Sequence, residues 1–392
     1  MHLQLAHDLL FKATDLVAKV ADKHHRFVIL GNIKIDLNID TLTLTASDLE
    51  VELTTQVKLP AGACVEAGSI TLPAGKFHEI CKSLPAGMVK IHTLDHDRCQ
   101  IVSGKSKFTL SMLPANDFPS IGTPTNQSKL LIARGELLSM IAHTRFAIAT
   151  QDVRHYLTGM LFHVNDGRLT AVATDGHRLS VAHRDLVEPP TTDSQIIIPG
   201  KAIGELERLF NELGKTVGTD EVVSLGIDGE FLQVALNFGK ANDDGMASDE
   251  LTVALTARLI EGKFPDYKRV LPDNCDRTAL IQKDDITDVL RRVSILSNER
   301  SRGVVFEFSE ETSATVRSST GTSSDSDEAI EILPVNYQGQ PIELSLNETY
   351  LKAVFGVLQG EISLQMSHPN APTLITQVGD ERHQYVVMPM RI

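Results

Sequence analysis

VRHYLTGMLFHVNDGRLTAVATDGHRLS, residues 153–180, is the stretch from which the fold can be read. Tyr156 to Phe162 is rich in apolar and aromatic side chains and predicts a strand. Asn165-Asp166-Gly167 supplies a turn, and Ala171, Val172 and Ala173 carry the return, so the stretch reads as a β-hairpin. Thr174-Asp175-Gly176-His177-Arg178-Leu179 then interrupts the apolar pattern with polar groups and a glycine that can take positive φ. Such an interruption predicts a shaped, partly polar rim at a sheet edge, where a binding surface can form.

Outward from this hairpin the same pattern occurs three times. Helical periodicity appears from Asp8 to Val20 (Leu9, Leu10, Ala13, Leu16, Val17, Val20) and from Glu136 to Ala149 (Leu137, Leu138, Ile141, Ile148). A third helix opens at Asp284-Asp285 and carries Ile286, Val289, Leu290, Val293 and Leu296, its acids at the favourable end of the dipole. Each helix leads into a strand-turn-strand unit, and roughly sixty to seventy residues after it comes a second amphipathic helix, starting at Gly75, Gly200 and Glu348. Strands close each copy. The fold class is therefore α+β in three repeated domains, 1–127, 128–272 and 273–392, with linkers near Pro124 to Ser128 and Leu271 to Asp276. The middle copy is longer by an acidic, aperiodic insert at 239–250, read as a surface loop.

A chain of 392 residues exceeds one ordinary core, which agrees with three domains. No apolar run is long enough to span a membrane, and the amino terminus scatters Asp8, Lys12, Asp15 and Lys19 through its apolar positions, unlike a signal peptide. A cytoplasmic protein is expected. Cys64, Cys81, Cys99 and Cys275 form no C-x-x-C pair and read as reduced structural thiols. The net charge of −14 argues against nucleic acid only as a sum. In the opening-helix segments 7–26, 134–154 and 283–302, Lys and Arg stand 4 to 3, 3 to 2 and 5 to 4 against Asp and Glu, a net of +3. These clusters read either as ordinary solvated faces or, if the three helices face one way, as one relatively basic face.

Several motifs are read against chemistry. Ser103-Gly104-Lys105-Ser106 ends like a phosphate loop, but Cys99 stands where its first glycine belongs and strands flank it, so a hairpin turn is expected. His92, His96 and Cys99 are metal-ligand types without a fourth partner, and no cofactor or metal is expected. Asp175 beside His177 could serve acid-base work, yet no nucleophile motif accompanies the pair. The terminal Tyr385 to Ile392 reads as an edge strand or, through Met388 and Met390, as an adaptable partner surface.

YLTGMLF, ATDGHRLS, GKFPDYKRVLP and YVVMPMRI, in that order and within a threefold repeat, resemble the bacterial DNA polymerase III beta subunit, the sliding-clamp family, over the whole chain. The resemblance implies a clamp fold closed as a head-to-tail homodimeric ring, helices inside and sheets outside, that encircles duplex DNA without reading sequence and has no catalytic activity. It implies short linear motifs of the DNA polymerase III alpha subunit, the clamp loader, other DNA polymerases and repair proteins as partners, and no membrane. The peptide groove carries over to Leu157, Thr174, Gly176, His177, Arg178, Leu179, Pro265, Arg269, Val270, Val386, Met388, Pro389, Met390 and Arg391. DNA-facing positions carry over to His24, Arg26, Gln151, Arg154, His155, Tyr156 and Lys201. The dimer interface carries over to Phe108 and Leu110 against Ile295 and Leu296, with Asp325, Asp327 and Glu328 opposite Lys105 and Lys107. Where the family has arginine before I-L-G-N and a tyrosine pair before L-x-G-M, this chain has His24-His25-Arg26 and His155-Tyr156, which adds a pH-dependent element. The alternatives from other classes are a non-DNA repeat scaffold and an Asp175/His177 hydrolase.

Overall fold

The computed structural model describes residues 1–122, 124, 128–186, 188, 193–214, 219–238, 251–321 and 326–390. The acidic insert at 239–250 lies outside the described residues. Six α-helices occur among them, two per repeat: α1 His7–Val17, α2 Ala74–Ser83, α3 Arg134–Thr144, α4 Gly200–Leu213, α5 Lys283–Val293 and α6 Glu348–Phe355. Their sequences explain them. In α4, Ala202, Ile203, Leu206, Leu209, Phe210 and Leu213 fall on one buried face. In α5, Asp284 and Asp285 sit in the first turn and Arg291 and Arg292 in the last, both favourable to the helix dipole. Asn347 caps α6, its side chain accepting from the N–H groups of Thr349 and Tyr350. Four residues assigned to helical faces, Leu9, Leu138, Ile148 and Leu296, are only half-buried, the last two because α3 and α5 end before them; Thr14 and Met140 are buried instead.

The chain divides into two compact units, one made of 1–136 with 201–259 and the other of 137–200 with 260–392. The middle repeat is thus shared between them, because its strands complete sheets begun by its neighbours. In the first unit a five-stranded sheet runs Cys64–Glu66, His2–Ala6, Met88–Leu94, Arg98–Ser103, Ser106–Ser111. An eight-stranded sheet joins Leu251–Arg258 antiparallel to Val51–Lys58, Leu255 opposite Leu53. In the second unit a nine-stranded sheet has at its centre Arg168–Thr174, Arg178–Asp185, His383–Val387 and Thr373–Gln377. A four-stranded sheet begins at the edge with Glu328–Pro334.

The 153–180 hairpin forms, with corrections. Gly159–Asn165 pairs with Arg168–Thr174 around Asp166 (φ 50°) and Gly167 (φ 76°). Tyr156 and Leu157, read as strand, lie instead in a turn of 3₁₀ helix, His155–Leu157, closed by the Leu157 N–H on the Arg154 carbonyl at 2.8 Å. Arg178–Asp185 and His383–Val387, both expected near edges, are interior strands paired with each other, Leu179 opposite Val386. The polar segment 174–178 therefore caps the end of a sheet rather than trimming its side. No helix of the described residues is long and apolar enough to cross a membrane.

Candidate functional site

The turn Thr174 to Arg178 is built by its own side chains. Thr174 Oγ1 donates to the Arg178 carbonyl at 2.6 Å and accepts from the Gly176 N–H at 3.1 Å. Asp175 Oδ1 accepts from the backbone N–H groups of His177 and Arg178 at 2.9 and 3.0 Å, and Oδ2 accepts from Arg178 Nε at 3.1 Å. Gly176 stands at φ 89°, and an added Cβ would lie 3.2 Å from Arg154 Nη2, so both the backbone angle and the neighbour favour glycine. Asp175 is a clip for the loop. It bonds the backbone of His177, and the His177 ring stacks instead on Tyr350, centroids 5.8 Å apart. The Arg178 guanidinium lies 4.9 Å from the Tyr350 ring centre and 5.4 Å from that of Phe146.

Directly below, one apolar cluster gathers Leu157, Leu179 and Val386 with Phe264, Tyr267 and Leu374, and Val270 and Leu271 pack partly buried against it. Four of the groove residues expected from the sequence, Leu157, Leu179, Val270 and Val386, thus meet from separate segments. The chain's end is tied alongside: the Met388 N–H donates to the His177 carbonyl at 2.9 Å and the Met390 N–H to the Ser345 carbonyl at 2.8 Å. Met388 remains 36% exposed at this rim. Pro389 and Met390 line an open cleft of about 550 Å³ with Ser345, Pro369 and Asn370. Pro265 and Arg269 are exposed, Arg269 pairing with Asp266 at 3.0 Å. Arg391 lies outside the described residues.

Phe264, Tyr267, Leu374, Tyr350 and Phe146 belong to the site but were not assigned from sequence. The aromatic spacing of GKFPDYKRV, with Tyr267 Oη 3.1 Å from His163 Nδ1, could have pointed to the first two. Tyr350 carried no such signal, since its helix reads simply as an amphipathic one.

The remaining assignments sit as follows. In the first unit His24 and Arg26 are exposed on the loop after α1, beside Phe27, which is 59% exposed. Lys201 is paired with the Asp48 carboxylate. In the second unit Gln151 is exposed at φ 58°, His155 lies in the 3₁₀ turn, and Tyr156 packs against the apolar cluster. Arg154 makes a two-point contact with Asp152 at 3.0 and 2.7 Å and reaches the Asp175 carbonyl at 3.5 Å, so it belongs to the rim of the 174–178 turn. Phe108 and Leu110 are half-buried on the edge strand Ser106–Ser111, and Lys105 and Lys107 are exposed next to them. Ile295 is 78% exposed and Leu296 half-buried. The edge strand Glu328–Pro334 exposes Ile330 (57%) and Ile332 (62%), neither of them assigned from sequence. Asp327 and Glu328 lie at the head of that strand; Asp325 is outside the described residues.

The motifs read against chemistry resolve into structure. Ser103 pairs with Ser106 across a turn with Gly104 at φ 55°, an ordinary hairpin. His96 and Asp97 form the tip of another hairpin, whereas Cys99 is fully buried, with its thiol pushed up to about 12 by burial. Among the described residues no three His, Cys, Asp or Glu side chains are grouped to hold a metal ion.

A clipped polar turn over an apolar cluster, carried on repeated helix-and-sheet units, belongs to a protein of the three-domain clamp fold. Comparison with known proteins says which. Residues 1–122, 132–266 and 268–391 match the N-terminal, central and C-terminal domains of the DNA polymerase III beta subunit. The chain is 37% identical over 365 residues to the beta sliding clamp of Vibrio cholerae, covering 93% of this chain and 92% of that one. It is 36% identical over 393 residues to that of Pseudomonas aeruginosa, covering all of both. A crystal structure of the Pseudomonas aeruginosa DNA polymerase sliding clamp with ligand superposes with a TM-score of 0.88 at 34% identity, over the full length of both chains. The chain belongs to the DNA polymerase III beta-subunit family: it is a sliding clamp, a processivity factor of DNA replication with no enzymatic activity of its own.

Proposed function

We propose that two copies of this chain join head to tail into a closed ring around duplex DNA, and that the groove beneath the 174–178 turn receives short linear segments of the replicative polymerase's alpha subunit, the clamp loader, other DNA polymerases and repair proteins in the cytoplasm. The domains are 1–127, 128–272 and 273–392. The observation that carries the partner reading is the meeting of Leu157, Leu179, Val270 and Val386 beneath a polar rim, which suits an apolar anchor followed by a hydrogen-bonded backbone. Burying one Leu or Phe anchor there stabilises by about 1.5–3 kcal/mol, one to two decades of affinity. Ring closure is supported by two edge strands of complementary character: Ser106–Ser111 offers Phe108 and Leu110 beside Lys105 and Lys107, and Glu328–Pro334 offers Ile330 and Ile332 beside Asp327. His24, Arg26, Gln151, His155 and Lys201 supply a phosphate-facing lining without base readout, and Arg154 divides between that lining and the groove's rim.

Retention on DNA tests the ring: the protein, once loaded, stays on nicked circular DNA and leaves when the circle is cut. Release without cutting would refute encirclement. For the groove, deleting Met388 to Ile392 is expected to leave dimers intact and to abolish binding of a Gln- and Leu-Phe-containing peptide in a fluorescence-polarisation titration. Unchanged affinity would sink the assignment.

A further inference from the structure

Glu348 opens α6 and is only 3% exposed, a position in which a carboxylate needs partners. It has several. Oε2 accepts from Lys352 Nζ at 2.5 Å, and Oε1 accepts from Ser297 Oγ at 3.3 Å and Arg302 Nη1 at 3.4 Å. Lys352 Nζ also donates to Ser294 Oγ at 3.0 Å. Burial alone would raise the pKa of this carboxyl, but hydrogen bonds involving Lys352, Ser294 and Ser297 outweigh it and hold its pKa below the ordinary carboxyl range, so that the group stays ionised. One buried charge thus holds both ends of the turn Ser294–Leu296, whose Ile295 is 78% exposed.

The same helix turn reaches the groove. Asn347 accepts from the N–H groups of Thr349 and Tyr350 at 2.8 and 3.3 Å, and its amide donates to the Ser301 carbonyl at 3.2 Å. Tyr350 then carries the His177 ring and the Arg178 guanidinium. From the exposed Ile295 to the rim of the groove the connection is a charged hydrogen-bond cluster followed by two residues of helix.

We propose that Glu348 is a positioning residue that couples the subunit joint to the partner-peptide groove, so that peptide binding and subunit association change one another's affinity. The proposal rests on Ile295 belonging to the joint and Tyr350 to the groove. A buried ion cluster does not deform gradually: displacing Ser294 and Ser297 leaves the Glu348 charge under-paired, and the first turn of α6 shifts to recover partners. Tyr350 shifts with that turn. By linkage, peptide binding then biases the joint by the same factor.

The test measures the dimer dissociation constant of the full chain by sedimentation, with and without a saturating Gln- and Leu-Phe-containing peptide. In the native chain the peptide is expected to shift that constant at least threefold, in either direction. In E348Q, and separately in K352M, the shift is expected to vanish while both dimerisation and peptide binding persist. A merely structural role would weaken the two steps and leave their mutual shift unchanged. No shift in the native chain, or a full shift surviving in K352M, overturns the coupling. Lys352 has a 42% exposed side chain, so K352M carries the test alone if E348Q does not fold. A native chain that never dimerises or never binds the peptide overturns the underlying assignment, and the coupling with it.

Discussion

Tyr350 is where residue chemistry meets the proposed partner groove. Its ring carries a cation and an imidazole, contacts worth about 1 kcal/mol at a half-exposed site, so Tyr350→Ala is expected to weaken peptide binding roughly fivefold while Tyr350→Phe, which keeps the ring, stays near native. A polarisation titration of both variants checks this. Nothing in the linear pattern marks Tyr350, because its partners His177 and Arg178 lie far away in the chain; Thr174 and Gly176 were legible as a turn from their own local sequence, and their place beside a groove came only with the family resemblance. A second residue-scale effect concerns pH. The rings of His143 and His383 stack at 3.9 Å, with Arg184 and Asp380 bonded to His383 and the Tyr385 hydroxyl 2.5 Å from His143 Nδ1. Burial, then the neighbouring His383, holds the His143 imidazole down to about 4 from an ordinary 6.5. As pH falls through that window the unfolded chain binds a proton that the folded chain does not, so stability is lost below 6.5 and unaffected above it. On the order of 1 kcal/mol should go between neutral pH and pH ~5 once partial exposure is discounted. Urea midpoints would show it, and His143→Gln should flatten the difference.

At the scale of elements, the helices were the most legible part, since six segments carry their own helical periodicity, to which α5 adds acids at its start and arginines at its end. The strands were legible as hairpins but not in their neighbours: Arg178–Asp185 and His383–Val387 are about 200 residues apart, and no local pattern says that they pair. The same limit hid Ile330 and Ile332, which share a face with Glu328 and alternate with Ala329, Glu331 and Leu333 as any half-buried strand would, and whose exposure only the sheet order reveals. If their strand is a subunit edge, Ile330→Lys with Ile332→Lys should give folded monomers, because two cations then face Lys105 and Lys107 of the partner. The Ile295→Ala, Leu296→Ala pair should do the same through lost apolar contact. Sedimentation at nanomolar protein decides, and a dimer in both cases would move the interface elsewhere.

For the whole molecule, the distribution of charge matters more than its sum. Many of the cations counted on the opening helices are already engaged: Arg154 by Asp152, Arg292 by Glu331, Arg291 by Asp288 and Arg302 by Glu348. Lys201, paired with Asp48, should therefore release less of the DNA counterion atmosphere than exposed Arg26 does. Arg26→Ala is expected to lower the slope of log affinity against log salt by about 0.9, and Lys201→Ala by clearly less. Equal slopes for the native chain and Arg26→Ala would take Arg26 off the DNA-facing surface.

The pairing of Leu251–Arg258 with Val51–Lys58 has a consequence for how this chain is made. At ribosomal speeds of about 5–20 residues per second, the earlier strand waits roughly 10–40 s for its neighbour to be synthesised. Throughout that interval the amino-terminal repeat has a raw strand flank, with Val51, Leu53 and Val57 on the face that ends up buried. A nascent chain stalled before residue 251 is thus a template for misassembly with other nascent chains, and excising the central repeat as a separate module would leave unpaired flanks on both pieces.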